Sequence, residues 1–142
     1  MRNPRFRAYH EIYKGMYDVS SLWFNYDGTL DTVVIIIGNA FSDYELVKAK
    51  HVIIEQDTGL KDKNGKAIWE GDVVKIDMWD GNKRVPEVGY IVYDQLSAGF
   101  TWLSVHDAGS YHLRDMDYSI REVISNIHND PELLEKKNDN ER

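Results

Sequence analysis

Hydrophobic and polar positions alternate along this chain in short runs, most of them strand-sized and too brief for a helix. Phe6 to Tyr9 is short and aromatic-rich, and Lys14-Gly15 reads as a turn leading into Met16 to Val19. Ser21 to Phe24 and Thr29 to Ile37 flank Asn25-Tyr26-Asp27-Gly28. Its Asp-Gly pair is a hairpin signal, because both positions tolerate positive φ. Val33 to Ile37 is β-branched throughout, which fits a strand covered on both faces better than a helix. Ser42 to Lys50 is ambiguous. Ser42-Asp43-Tyr44-Glu45 matches a capping box, yet the stretch is too short to hold as a helix by itself. A turn or a single helical turn is expected there, followed by a strand at Val52 to Glu55.

Residues 57 to 66 are turn-rich, with Asn64-Gly65 suited to a type I′ hairpin. Strand patterns then follow at short intervals: Ala67 to Trp69, Val73 to Ile76, Val88 to Tyr93, Phe100 to Val105, Tyr111 to Leu113 and Ile120 to Ile127. Short strands at this spacing, with no long amphipathic helix between them, predict a small antiparallel barrel. Barrel closure also removes the exposed edges that a small sheet would otherwise present. Asp130-Pro131 is a helix start, with Asp130 as N-cap and Pro131 at the first helical position. The expected class is all-β: an N-terminal β subdomain over residues 1–56, a barrel-like C-terminal subdomain over 57–130, and a short helix with a frayed tail over 131–142.

Composition narrows the function classes. There are no cysteines, which removes disulfides, thiolate metal sites and cysteine nucleophiles together. No apolar run approaches the roughly 18 residues of a membrane span, and the N-terminus carries no apolar signal core. A cytoplasmic protein is expected. The net charge of −7 is uneven: residues 1 to 50 balance six Lys/Arg against six Asp/Glu, whereas residues 86 to 142 carry five against eleven. An acidic C-terminal half disfavours binding to a phosphate backbone, which needs clustered cations. Nucleic acid is therefore not the expected partner.

Candidate chemistry is thin. Asp62, Asn64 and Gly65 match inner positions of a calcium loop, but Leu60 and Gly71 stand where its two end ligands belong, so a plain hairpin is expected. His10, His51, His106, His112 and His128 show no zincin spacing, and Asp115 and Asp117 lie in a turn beside Arg114 and Arg121. Gly-x-Ser-x-Gly and the phosphate-binding Gly-rich loop are absent. No catalytic residue, cofactor or metal is expected, although a hydrolase whose site forms only in the fold is an open alternative.

Binding surfaces can be named instead. Arg2, Arg5 and Arg7 with Phe6 and Tyr9 form the one basic-aromatic cluster, which could stack on single-stranded nucleic acid. The plainer expectation is an edge strand whose arginines pair with local acids. Trp23, Trp69 and Trp102 sit in strand patterns and are expected in the core. Trp79, in the hairpin tip Met78-Trp79-Asp80-Gly81, either folds back or marks an interface.

Three blocks carry a family resemblance: Arg5-Phe6-Arg7-Ala8-Tyr9; Gln56 to Lys66 continuing through Ile68-Trp69-Glu70-Gly71-Asp72-Val73-Val74; and Glu122 to Leu133. In this order they resemble the YopX family, which is carried by bacteriophages and prophages. Asp57, Ser125 and Asp130 depart mildly from the family's usual residues. The resemblance implies a small N-terminal β subdomain followed by a C-terminal subdomain of SH3-like character. It supplies no enzymatic activity and no catalytic residues. The barrel pattern, the missing catalytic motifs and the acidic C-terminal half together lead to the expectation of a non-enzymatic phage or prophage accessory protein that binds an unidentified host or phage protein. Because SH3-like barrels often bind through rim loops, Lys61, Asp62, Lys63 and Asn64 join Trp79, Arg5 and Arg7 as the expected binding surface. Val33 to Ile37 is apolar on both faces and needs cover, either from the C-terminal barrel or from a second copy, and a homo-oligomer is the expectation.

Overall fold

The computed structural model describes residues 4–106 and 109–135, and nearly all of their regular structure is strand. The all-β class is what the chain adopts. It divides into two compact units, Met1–Asp57 and Thr58–Arg142.

Unit 1 holds β1 (Phe6–His10), β2 (Gly15–Phe24), β3 (Leu30–Ile36), β4 (Tyr44–Lys48) and the first half of β5 (Val52–Lys61). They form an antiparallel sheet in the order β4-β3-β2-β1-β5. The two runs expected as separate strands, Met16 to Val19 and Ser21 to Phe24, are one strand. A bulge between Val19 and Ser21 resets its facing, so Val19 lies opposite Ile35 while Ser21 lies opposite Val34. Ala8, Val33, Ile35, Val47 and Val52 make the inner core, with Tyr17, Leu22 and Ile54 packed against it. β1 is not the edge strand expected from its arginines, for β2 and β5 flank it on both sides.

The Ser42 to Lys50 stretch is where the local signal misleads. Tyr44–Lys48 pairs with β3 over five residues, from Ile36 opposite Tyr44 to Thr32 opposite Lys48. No helical turn forms over the capping box. The Asp43 carboxylate closes a tight turn instead, accepting from the Ala40 N–H at 2.8 Å. A 3₁₀ turn, Ala49–His51, follows the strand.

Unit 2 contains the rest of β5, β6 (Ala67–Trp69), β7 (Asp72–Trp79), β8 (Arg84–Asp94), β9 (Gly99–Ser104), β10 (Ser110–His112) and β11 (Arg121–Asn126). β5 and β6 form a hairpin, and the remaining strands make a second sheet in the order β10-β9-β8-β7-β11. The last strand thus returns beside the first, a barrel-like order in which β10 and β11 stand at the two ends. Ile68, Val74, Ile76, Ile91, Trp102 and Leu113 are its core. Trp102 is the largest fully buried side chain, and its indole N–H donates to the Val74 carbonyl at 2.9 Å. Gly89 lies under that ring, where a Cβ would collide with the indole and with the Leu103 carbonyl.

Two further expectations need correction. Asn64-Gly65 is not a type I′ turn, because Gly65 alone takes positive φ (80°) and Asn64 does not. Gly65 N–H donates to the Asp62 carbonyl and Asp62 N–H to the Lys66 carbonyl, the geometry of a tight turn closed by a left-handed glycine. After Asp130 comes a single 3₁₀ turn, Pro131–Leu134, rather than a capped α-helix. The Asp130 carboxylate accepts from the Ser125 hydroxyl and so caps nothing. The expected frayed tail, Lys136 to Arg142, lies outside the described residues.

Candidate protein-binding face

Alternation along β2, β3 and β4 sends half of each strand's side chains inward and half outward. The inward set fills the unit 1 core. The outward set holds five apolar side chains, Trp23 from β2, Val34 and Ile36 from β3, Tyr44 and Leu46 from β4, together with Ser21, Thr32 and Lys48. Cross-strand register gathers them, with Val34 opposite both Ser21 and Leu46, and Ile36 opposite Tyr44. They surround a shallow cleft of about 390 Å³ lined by Ser20, Ser21, Trp23, Val34, Tyr44 and Leu46. Val34 is its buried floor, whereas Trp23 is 50 % exposed, Tyr44 54 % and Leu46 48 %. Trp23 therefore does not belong to the core where the strand pattern put it. Lys48, at the end of β4 on the same face, pairs with Asp31 at 3.7 Å.

The residues expected to form a binding surface are dispersed. Arg5 pairs with Asp57, its Nε donating at 2.9 Å, and Arg7 Nε donates to Glu55 at 3.0 Å. Both acids sit opposite β1 on β5, so the pairing expected of the arginines is present although the edge position is not. Lys63 Nζ lies 3.1 Å from Glu122, with Lys75 behind it at 3.5 Å, and these cations hold the Glu122 carboxyl below its ordinary value. Lys61 and Asn64 are exposed, as is Trp79, which borders a cleft of about 250 Å³ with Met78, Val85 and Glu87. Trp69 is half-buried.

Asp62 is the clear departure. It is buried, and its oxygens are consumed internally: Oδ1 accepts from the Asn64 and Lys66 amides, Oδ2 from the Val123 amide. Burial pushes its carboxyl up, but these three donors and the Lys66 charge outweigh burial and hold it below its ordinary value. Arg121, also buried, stitches the same corner by donating to the carbonyls of Lys61, Leu113 and Met116. Burial lowers its pKa against the raising influence of Asp117 and Asp62. This corner is a structural clasp with no open oxygen for a partner.

His10 and His51 stack with ring centroids 6.3 Å apart, but among the described residues no three His, Asp or Glu gather as metal ligands. His106 lies on the surface 3.6 Å from Glu87, Asp107 is outside the described residues, and Asp117 accepts from both the amide and the hydroxyl of Ser119. Among the described residues no helix is long and apolar enough to cross a membrane. The β3 part of this face is legible in the sequence, where Val33 to Ile37 is apolar on both sides, but Trp23, Tyr44 and Leu46 are not, because tertiary pairing decides which half of an alternation faces the core.

Comparison with known proteins agrees with this architecture. Protein EF1440 from Enterococcus faecalis is similar at 28 % identity and a TM-score of 0.65, over 95 % of this chain and all of that one. Protein yopX from Bacillus subtilis, 20 % identical, has a TM-score of 0.61 over 92 % of this chain and 98 % of its own. No curated protein matches. The family model described as YopX protein matches residues 5–135, and the chain belongs to that family.

Proposed function

We propose that this chain is a non-enzymatic phage or prophage accessory protein that acts in the host bacterial cytoplasm by binding another protein. The observation that carries this reading is the outer face of β2, β3 and β4. Three large side chains, Trp23, Tyr44 and Leu46, stand half exposed around a cleft floored by Val34. Tryptophan and tyrosine dominate protein-binding hot spots because they bury much area for few rotatable bonds. Apolar side chains grouped this way mark a surface that gains by losing water. The strand order of unit 2, β10-β9-β8-β7-β11, is also the one an SH3-like barrel uses, which suits a binding protein. A nucleic-acid reading loses its main residues, since Arg5 and Arg7 are each engaged by an acid.

Affinity capture from infected host lysate tests the proposal. Wild type is expected to retain a discrete protein that Trp23→Ala loses and Trp79→Ala keeps. Equal capture by Trp23→Ala would remove the face from consideration. Salt-sensitive binding of labelled oligonucleotides would replace the proposal with the nucleic-acid reading.

A further inference from the structure

We infer that the open edge of β4 pairs with β4 of a second copy of this chain, across a two-fold axis at Leu46. This deepens, and rests on, the reading of unit 1 as the binding half. Three observations carry it.

The first is which edges are guarded. β6 and β10 are three residues long, and β11 is bulged between Val123 and Ser125. Short and bulged edges resist pairing with other chains. Among the described edge strands, β4 alone keeps unbroken register over five residues.

The second is parity. The Ile37 N–H donates to the Asp43 carbonyl at 3.0 Å, so the backbone groups of residues 43, 45 and 47 turn towards β3. Those of Tyr44, Leu46 and Lys48 therefore turn to the open edge. A two-fold axis at Leu46 places Leu46 opposite its own copy and Tyr44 opposite Lys48 of that copy. Each Leu46 N–H then donates to the other's carbonyl, and each Lys48 N–H to the other's Tyr44 carbonyl. The Tyr44 N–H is already donating to Ser42. On the outer face leucine meets leucine and a lysine ammonium meets a tyrosine ring. On the inner side Glu45 meets Val47, so no like charges are opposed. Glu45 also already accepts from the Tyr13 hydroxyl at 2.7 Å.

The third is charge distribution. Residues 1 to 50 are balanced, while residues 86 to 142 hold eleven acids against five bases. Copies that meet through β4 join at neutral surfaces. The pairing also joins two outer faces into one apolar surface. A five-residue edge buries little, so the dimer falls in the small interface class, below about 1,200 Å² in total, and forms at micromolar concentrations or above.

The absence of cysteine gives a direct test. In a hydrogen-bonded antiparallel pair the opposed Cα atoms are about 5.5 Å apart, within disulfide reach. Leu46→Cys is expected to form a covalent dimer with oxidised glutathione at micromolar protein, while Ile53→Cys, exposed but away from this edge, stays monomeric. Light scattering on wild type should show a mass rising towards two chains with concentration. A single-chain mass at the highest concentration, or equal cross-linking of the two variants, would overturn the inference. Should Leu46→Cys misfold by circular dichroism, Tyr44→Cys paired with Lys48→Cys in a mixed sample gives the same reading. Trp23→Ala leaves the edge intact, so it is expected to dimerise normally while losing the captured protein. Failure of the edge and failure of the face are thereby told apart.

Discussion

Asp62 joins distant parts of unit 2. One carboxylate oxygen organises the turn at Asn64 and Lys66, and the other reaches the Val123 amide on β11. A charged acceptor with three amide donors is worth more than neutral hydrogen bonds would be. The same contacts fix the pH response. Asp62's folded pKa lies below its unfolded value of about 3.9, so its stabilisation is fully present above that value and is lost as pH falls through the folded pKa. Asp62→Asn keeps the shape but sets an NH₂ or a weaker acceptor against an amide. It is expected to cost about 1–3 kcal/mol at neutral pH, with the gap to wild type narrowing below about pH 4. Urea denaturation at the two pH values checks this, and an unchanged gap would mean that the charge is not what stabilises the corner.

At the scale of elements, turns and edges decide the architecture. Gly65 sits at φ +80° in open space, so a side chain there meets no neighbour but does meet the left-handed backbone penalty. Gly65→Val is expected to cost about 1–3 kcal/mol, read as a lowered denaturation midpoint at unchanged slope. A wild-type midpoint would show that the β5–β6 turn tolerates another geometry. β3 gives the second case. Ile35 is fully buried in the inner core and Ile36 is 42 % exposed on the outer face, although the two are adjacent and chemically alike. Ile35→Lys should unfold unit 1, because an unpaired ammonium would replace packed hydrocarbon. Ile36→Lys should leave a folded chain with weakened partner capture. Circular dichroism and the capture assay separate the two outcomes.

For the molecule as a whole, metal is expected to add nothing to stability. Thiolate ligands are impossible without cysteine. The loop that resembles a calcium site has Leu60 and Gly71 at its ends, and its Asp62 carboxylate is already filled by amides. Thermal melts with and without chelator should therefore coincide, and a shift of several degrees would reveal a bound ion. The balance of charge belongs to this scale too. Residues 1 to 50 carry equal numbers of acids and bases, whereas residues 86 to 142 carry an acidic excess, which opposes association through the C-terminal half.

Local chemistry in the sequence determined the strand class, most strand positions, the turns at Gly28 and Gly65 and the buried Trp102, because alternation and turn residues act over only a few positions. Tertiary pairing decided the rest. Tyr44 to Lys48 became a strand because β3 offered it a ladder, and no five-residue window reveals a partner found elsewhere in the chain. The bulge after Val19 chose which residues of β2 face outward, and so left Trp23 at the surface while Leu22 went to the core. Asp62 moved from an expected binding loop to a buried clasp because its third donor, Val123, lies sixty-one residues away. A side chain's type is written locally, but whether it is buried depends on what the rest of the chain brings against it.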